Sequence, residues 1–215
     1  MKQLLLRISE WFLIDFVVSL SIVFLSASVS CAQNSIFESK TFDNKNTEII
    51  ADKTSFDKKH SEFLASGNVK VASKFKNGEK VEASGSFAKY NTNAGKGKLW
   101  GKNTLVKYFV KGSSTPVMMR AKEIQFDKGK GSVKAYGDVL VVTSLVSIRS
   151  DNALFDRKTY GAVFEKDKTR PVAEVTRDGG RQVYEADKII FYDNKDVKKI
   201  FMKGNVKGKI EMEDT

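Results

Sequence analysis

One cysteine, one histidine and no sustained helical period after residue 35 set the first boundaries on this 215-residue chain. A lone cysteine, Cys31, closes no intramolecular disulfide, so an exported domain of this sequence is held by its core alone. The lone histidine, His60, lies in a lysine-rich turn with no second histidine, no cysteine pair and no HExxH. That composition argues against a zinc site and against a Ser-His-Asp site. Glycines never form a phosphate-cradling loop ahead of a helix. Two acids converging from distant strands, as in glycoside hydrolysis, would leave no local trace, and nothing points to such a pair. The reading is a protein that is not an enzyme and carries no cofactor.

Negative charge is also short, leaving a formal net charge of +11. Residues 1–32 hold Lys2 and Arg7 against Glu10 and Asp15, so the whole excess belongs to residues 33–215. Most lysines fall in turns and alternate strand positions, as in Lys74-Phe75-Lys76, Lys96-Gly97-Lys98 and Lys195 to Lys199, and read as solvated. One surplus sign on an exported chain still suggests an anionic partner, a phosphorylated lipid head group or a membrane surface. No nucleic-acid motif appears, and nucleic acid is not expected as a partner.

What is present begins with an N-terminal apolar run, Phe16 to Leu25, behind Lys2 and Arg7 and ahead of Ser26-Ala27-Ser28-Val29-Ser30-Cys31-Ala32. A basic start, a short apolar stretch and a small-residue exit describe a secretory signal over 1–32. The stretch is short of the ~20 apolar residues of a transmembrane helix. Cleavage after Ala32 releases a chain starting at Gln33. Two alternatives stay open: lipidation of Cys31, as in a bacterial lipoprotein, and retention of the segment as an anchor.

After residue 45 one unit recurs five times. Each copy has a strand ending in an aromatic-Asx pair, a polar turn and a second strand. The pairs are Phe56-Asp57, Tyr90-Asn91, Phe126-Asp127, Phe155-Asp156 and Tyr192-Asp193. Eleven residues beyond the first three aromatics stand Gly67, Gly101 and Gly137; the fifth copy needs twelve, to Gly204, and the fourth has no glycine there. Such a period marks a repeat architecture. The Asx residues read as turn initiators, because their side chains bond backbone two residues on.

A two-residue alternation runs through the unit. It predicts an inward stripe of Phe56, Phe63, Tyr90, Leu99, Ile124, Phe126, Val133, Val139, Val141, Phe155, Phe164, Ile190, Tyr192 and Ile200. The same parity takes in Leu105 and Val206. Apolar residues at every second position make half-buried antiparallel strands, about ten to sixteen of them, and an all-β fold. Large residues face small ones such as Ala65, Ala88, Ala135, Ala153 and Ala162. That mixture fits a dry core and equally a groove for acyl chains. The domain plan is a signal over 1–32, a flexible linker over 33–44, the repeat domain over 45–211 and a tail over 212–215.

The repeats carry a resemblance. Ile50-Ala51-Asp52-Lys53-Thr54-Ser55-Phe56-Asp57, with Phe63-Leu64-Ala65-Ser66-Gly67-Asn68-Val69-Lys70-Val71 after it, resembles the signature repeat of the LptA/OstA family. Met119 to Val141 and Glu185 to Val206 are similar, with Ala121 and Ala186 at the position of Ala51. The fourth copy departs with Ser150 there, and the second with Gly101-Lys102-Asn103 in place of Gly-Asn-Val. The resemblance covers roughly 45–210. It implies an open β-jelly roll whose interior carries the lipid A acyl chains of lipopolysaccharide. It also implies a periplasmic place, with inner-membrane and outer-membrane lipopolysaccharide-transport components as partners and a head-to-tail homo-oligomer. Edge strands at Thr47–Ala51 and Asn205–Ile210 are then expected to join protomers. The rival readings are a membrane-anchored LptC-like subunit of the same pathway and an outer-surface lipoprotein or adhesin.

Overall fold

The computed structural model describes residues 37–44, 47–74, 78, 80–109, 115–127, 129–130, 132–156, 161–177, 180–194 and 197–212. The expected signal segment and Cys31 lie outside them. Every regular element among the described residues is a strand, and the pairing is antiparallel. The fold is all-β, as the alternation requires.

Five strands are long: β2 (Thr47–Asp57), β3 (Glu62–Lys74), β4 (Lys80–Asn91), β9 (Ser132–Val142) and β10 (Val146–Asp156). The others are short and come in consecutive pairs. These are β5 (Lys96–Trp100) with β6 (Leu105–Phe109), and β7 (Val117–Arg120) with β8 (Glu123–Asp127). The remaining pairs are β11 (Gly161–Glu165) with β12 (Val172–Arg177), β13 (Gly180–Glu185) with β14 (Lys188–Asn194), and β15 (Val197–Lys203) with β16 (Lys207–Met212). Ahead of them all is β1 (Phe37–Asn44), paired with β2 from Phe37↔Thr54 to Asn44↔Thr47. Residues 37–44 are therefore sheet and not linker. They also cover Thr47–Ala51, so the N-terminal edge of the sheet is β1 and the expectation for β2 is corrected.

The long strands run through two leaves, and the short pairs divide between them. One leaf has the order β1-β2-β3-β4-β5-β8-β9-β10-β11-β14-β15. In the other, β6 and β7 lie between β4 and β9, and β12, β13 and β16 lie beyond β10. The leaves meet along a line of irregular register, at Ile50/Lys53, Ser66/Val69 and Ser150/Asn152. A bulge bends a strand and increases its twist. Bent there, the two leaves bring their apolar faces into one contiguous core.

The recurring Gly-Asx builds that bend. Gly67 and Asn68 both take positive φ, +75 and +46, as do Gly137 with Asp138 and Gly204 with Asn205. Two successive left-handed residues are costly for most side chains and cheap for glycine and Asx. The second copy inserts Lys102 between Gly101 (φ +106) and Asn103 (φ +56). One extra residue reverses the alternation beyond it, since successive side chains of a strand point to opposite faces. Thr104, Val106 and Tyr108 are buried and Leu105 faces out, a correction to the inward reading of Leu105.

Across each bend stands a small buried residue: Ala51, Gly85, Ala121, Ser150 or Ala186. The residue after it closes the corner, in different chemistry from copy to copy. Asn68 Nδ2 donates to Asp52 at 3.1 Å, and Asn205 Nδ2 to Asp187 at 2.7 Å. In the third copy the pair is Lys122 Nζ to Asp138 at 2.7 Å. The fourth copy lacks the glycine, and the Asp151 carboxylate accepts from the N–H groups of Lys168 and Thr169 at 2.9 and 2.6 Å. In the second, Ser86 Oγ accepts from Lys102 N–H at 2.9 Å. The hairpin Asx residues act as expected where described. Asp57 accepts from Lys59 N–H at 2.9 Å, Asn91 from Ala94 at 2.7 Å and Asp127 from Lys130 at 3.0 Å.

Candidate functional site: an apolar interior with an open end

Strand register threads the inward residues of the first leaf into two rows. One row runs Phe56, Phe63, Tyr90, Gly97 and Phe126, then Val133, Phe155, Ala162, Phe191 and Ile200. Its companion runs Thr54, Ala65, Ala88, Leu99 and Ile124, then Ala135, Ala153, Phe164, Ile189 and Met202. The second leaf contributes Ile49, Val71, Ala83, Val106 and Met119, then Val141, Ile148, Ala173 and Tyr184. Val139 is buried beside the bend.

Large and small residues alternate because they fill each other's space. A β carbon at Gly97 would stand 2.1 Å from Phe126 Cζ, so the Phe126 ring occupies the room that glycine leaves. Tyr90, opposite Gly97 on the other side, stacks on Phe126 with ring centroids 5.8 Å apart. Phe155 meets Phe164 edge to face at 6.1 Å. Tyr90, Phe164, Val133 and Ala135 are all 0 % exposed. Burial pushes the Tyr90 phenol above its usual range. Through most of its length the interior is close-packed, the condition of an ordinary protein core.

Of the predicted stripe, Phe63, Tyr90, Leu99, Ile124, Phe126, Val133, Val139, Val141, Phe155 and Phe164 lie in this core, with Phe56 and Ile200 packed partly buried against it. Ile190 and Tyr192 do not. The buried residues of β14 are Ile189 and Phe191, and Ile190 and Tyr192 stand on the outer face. The reason is turn length. In four hairpins the partner of the aromatic stands seven positions on, as in Phe56↔Phe63, whereas Phe191 pairs with Ile200, nine on. A turn two residues longer moves Gly204 to thirteen positions beyond Phe191, and the count of twelve from Tyr192 mistook the face. Val206 is 53 % exposed, against its inward reading.

The interior does not stay closed. At the C-terminal edge Ile200 and Met202 on β15 and Tyr184 on β13 are only partly buried, and Ile210 on β16 is 60 % exposed. Lys199, Lys203, Lys207 and Lys209 surround this end, all exposed. Sequence reasoning found the apolar rows but not their emergence here, which depends on β15 and β16 having no further strand beside them among the described residues. No group of three or more potential metal ligands occurs among the described residues, and no helix there is long and apolar enough to cross a membrane. What the arrangement offers is apolar surface ringed by ammonium groups.

No family model and no curated relative match the chain. Among solved structures, it is similar to the crystal structure of LptH, the LptA-homologous periplasmic component of the lipopolysaccharide transport device of Pseudomonas aeruginosa. The identity is 15%, over 52% of this chain and 76% of that one, with a TM-score of 0.43.

Proposed function

We propose that this protein is an exported carrier of lipopolysaccharide that shields acyl chains within its folded sheet and hands them on between inner and outer membranes. The observation that carries the reading is the continuous apolar interior that surfaces at the β13–β15–β16 end among exposed lysines. An amphiphile with apolar tails and an anionic head matches both parts. Each buried methylene contributes about 0.8 kcal/mol, so a twelve-carbon chain gains up to roughly 10 kcal/mol before entropy losses. The deep rows are already filled by side chains, so the open end is the first footing for a tail and deeper entry requires the leaves to part. The repeat's resemblance to the LptA/OstA signature supports the same reading.

Photocrosslinking in living cells tests it. A crosslinkable residue at Met202, inward on the open strand, is expected to capture lipid A, while one at its outward neighbour Phe201 is not. Equal capture at the two positions, or none at Met202 in a folded protein, would overturn the proposal. A second pair probes the deep interior once both variants are shown to fold. Phe126→Lys is expected to abolish lipid occupancy and Gln125→Lys, on the opposite face, to leave it, and equal binding by the two folded variants would place the groove elsewhere.

A further inference from the structure

The outer face of the first leaf carries aromatics that the core does not explain. Phe87, Trp100 and Tyr136 alternate with the buried Ala88, Leu99 and Ala135, so they point away from the interior. Phe87 is 43 % and Tyr136 40 % exposed. Register aligns them: Phe87 pairs with Trp100, Trp100 with Glu123, and Glu123 with Tyr136. The Phe87 and Trp100 rings stack, with centroids 5.5 Å apart and planes 21° from parallel. Tyr136 comes two strands on, about 10 Å away at the usual strand spacing.

Beside this row lies a second, of opposite character. Each residue two positions along the same strands is polar: Lys89 beside Phe87, Lys98 beside Trp100, Gln125 beside Glu123 and Lys134 beside Tyr136. Lys98 Nζ sits 4.5 Å from the centre of the Trp100 ring. A shallow hollow of about 560 Å³ adjoins the row, lined by five lysines, Lys89, Lys98 and Lys134 among them, against the carboxylates of Glu62 and Asp127. Lys89 pairs with Glu62 at 2.8 Å and Lys98 with Glu123 at 3.4 Å, while Lys134 has no ion-pair partner among the described residues.

We propose that this shelf binds an extended anionic polysaccharide. One face of a pyranose ring presents a set of weakly positive C–H bonds, which suit the negative face of an aromatic ring. The Phe87–Trp100 stack and Tyr136, two strands on, give two ring platforms for sugars of one chain, and the lysine row beside them suits carboxylates or phosphates carried on those sugars. Glu123, set between Trp100 and Tyr136, and Gln125 in the row beside it are hydrogen-bonding groups for hydroxyls. They disfavour a lipid bilayer as the occupant, because a bilayer would desolvate the Glu123 carboxylate. The shelf lies on the opposite face from the interior rows, so its failure leaves the lipid-carrier reading untouched.

The test uses the full chain carrying Trp11→Phe, which leaves Trp100 as its one tryptophan. Oligogalacturonate is expected to change Trp100 fluorescence saturably, with an affinity that falls as salt rises. By calorimetry, Trp100→Ala is expected to weaken binding about tenfold, the scale of one lost stacking contact. Lys134→Gln should flatten the salt dependence, and Phe201→Ala, on β15 four strands beyond Tyr136, should change nothing. If Trp100→Ala fails to fold, Tyr136→Ser and Phe87→Ser carry the same expectation. The proposal is overturned if oligogalacturonate leaves the fluorescence unchanged or binds the folded aromatic variants as well as the parent. It is equally overturned if inorganic polyphosphate binds as tightly and by the same residues, which would make charge alone sufficient. Phosphatidylglycerol vesicles shifting Trp100 fluorescence where oligogalacturonate does not would identify a membrane contact instead.

Discussion

At the residue scale, two positions make the physics of the fold testable. A β carbon at Gly67 would stand 2.1 Å from an Asp52 carboxylate oxygen, on a backbone held at φ +75. Gly67→Ala therefore combines a left-handed alanine with displacement of the side chain that closes the corner. It is expected to destabilise by about 2 kcal/mol or more in urea unfolding. Gly129→Ala, whose nearest neighbour would be 3.4 Å away in a turn, is expected to stay within about 0.5 kcal/mol of the parent. The other position is β14. Phe191 is 7 % exposed and Ile190 faces out, so Phe191→Lys buries an unpaired charge at a cost of several kcal/mol while Ile190→Lys leaves it in water. Thermal melting of the two variants separates the faces, and a more damaging Ile190→Lys would return Ile190 to the core.

The element that repeats is the corner, and its chemistry predicts an acid sensitivity. The hydrogen bond from Asn205, and after it the Arg170 guanidinium at 2.9 Å, hold the Asp187 carboxyl below its ordinary value of 3.8. The Thr169 N–H does the same for Asp151 in the fourth copy. A carboxyl whose folded pKa is lowered binds fewer protons in the native state than in the unfolded one. Its stabilisation is complete above the unfolded value and disappears as pH falls through the folded one. Asp187→Asn is therefore expected to melt below the parent at neutral pH, with the gap narrowing once the pH drops beneath 3.8. A gap that widened in acid would rule out this role for the corner carboxylate.

At the scale of the whole molecule, the decisive feature is that the sheet has open edges at both ends among the described residues. Beyond β1 at one end and β15 and β16 at the other, no further strand pairs among the described residues. Unpaired edges are templates for another strand. Under the carrier reading they join copies head to tail, and sedimentation velocity is expected to find oligomers of graded size that grow with concentration. Ile210→Glu, at a side chain 60 % exposed on β16, should favour the monomer without lowering the melting temperature. A parent that stays monomeric at high concentration would remove the assembly from the proposal.

Alternation, turns and the recurring glycine were legible in the chain because each is a local matter, though the bend that the glycine makes was not. Side-chain direction in a strand has period two, an Asx side chain bonds its own turn, and positive φ selects glycine at once. These sufficed for an all-β fold and for most of the inward stripe. Where two faces of one strand are both apolar, as in Ile189-Ile190-Phe191-Tyr192, alternation offers no choice, and only pairing with β11 and β15 settled which face is core. The inserted Lys102 reversed β6, and the partner strand made sheet of residues 37–44, which have no strong pattern of their own. The role of Asp52, Asp151 and Asp187 in closing corners against residues about sixteen to eighteen positions away was equally invisible. So was the open end at β15 and β16, since burial depends on which strands lie alongside, and that is decided by contacts between residues far apart in the chain.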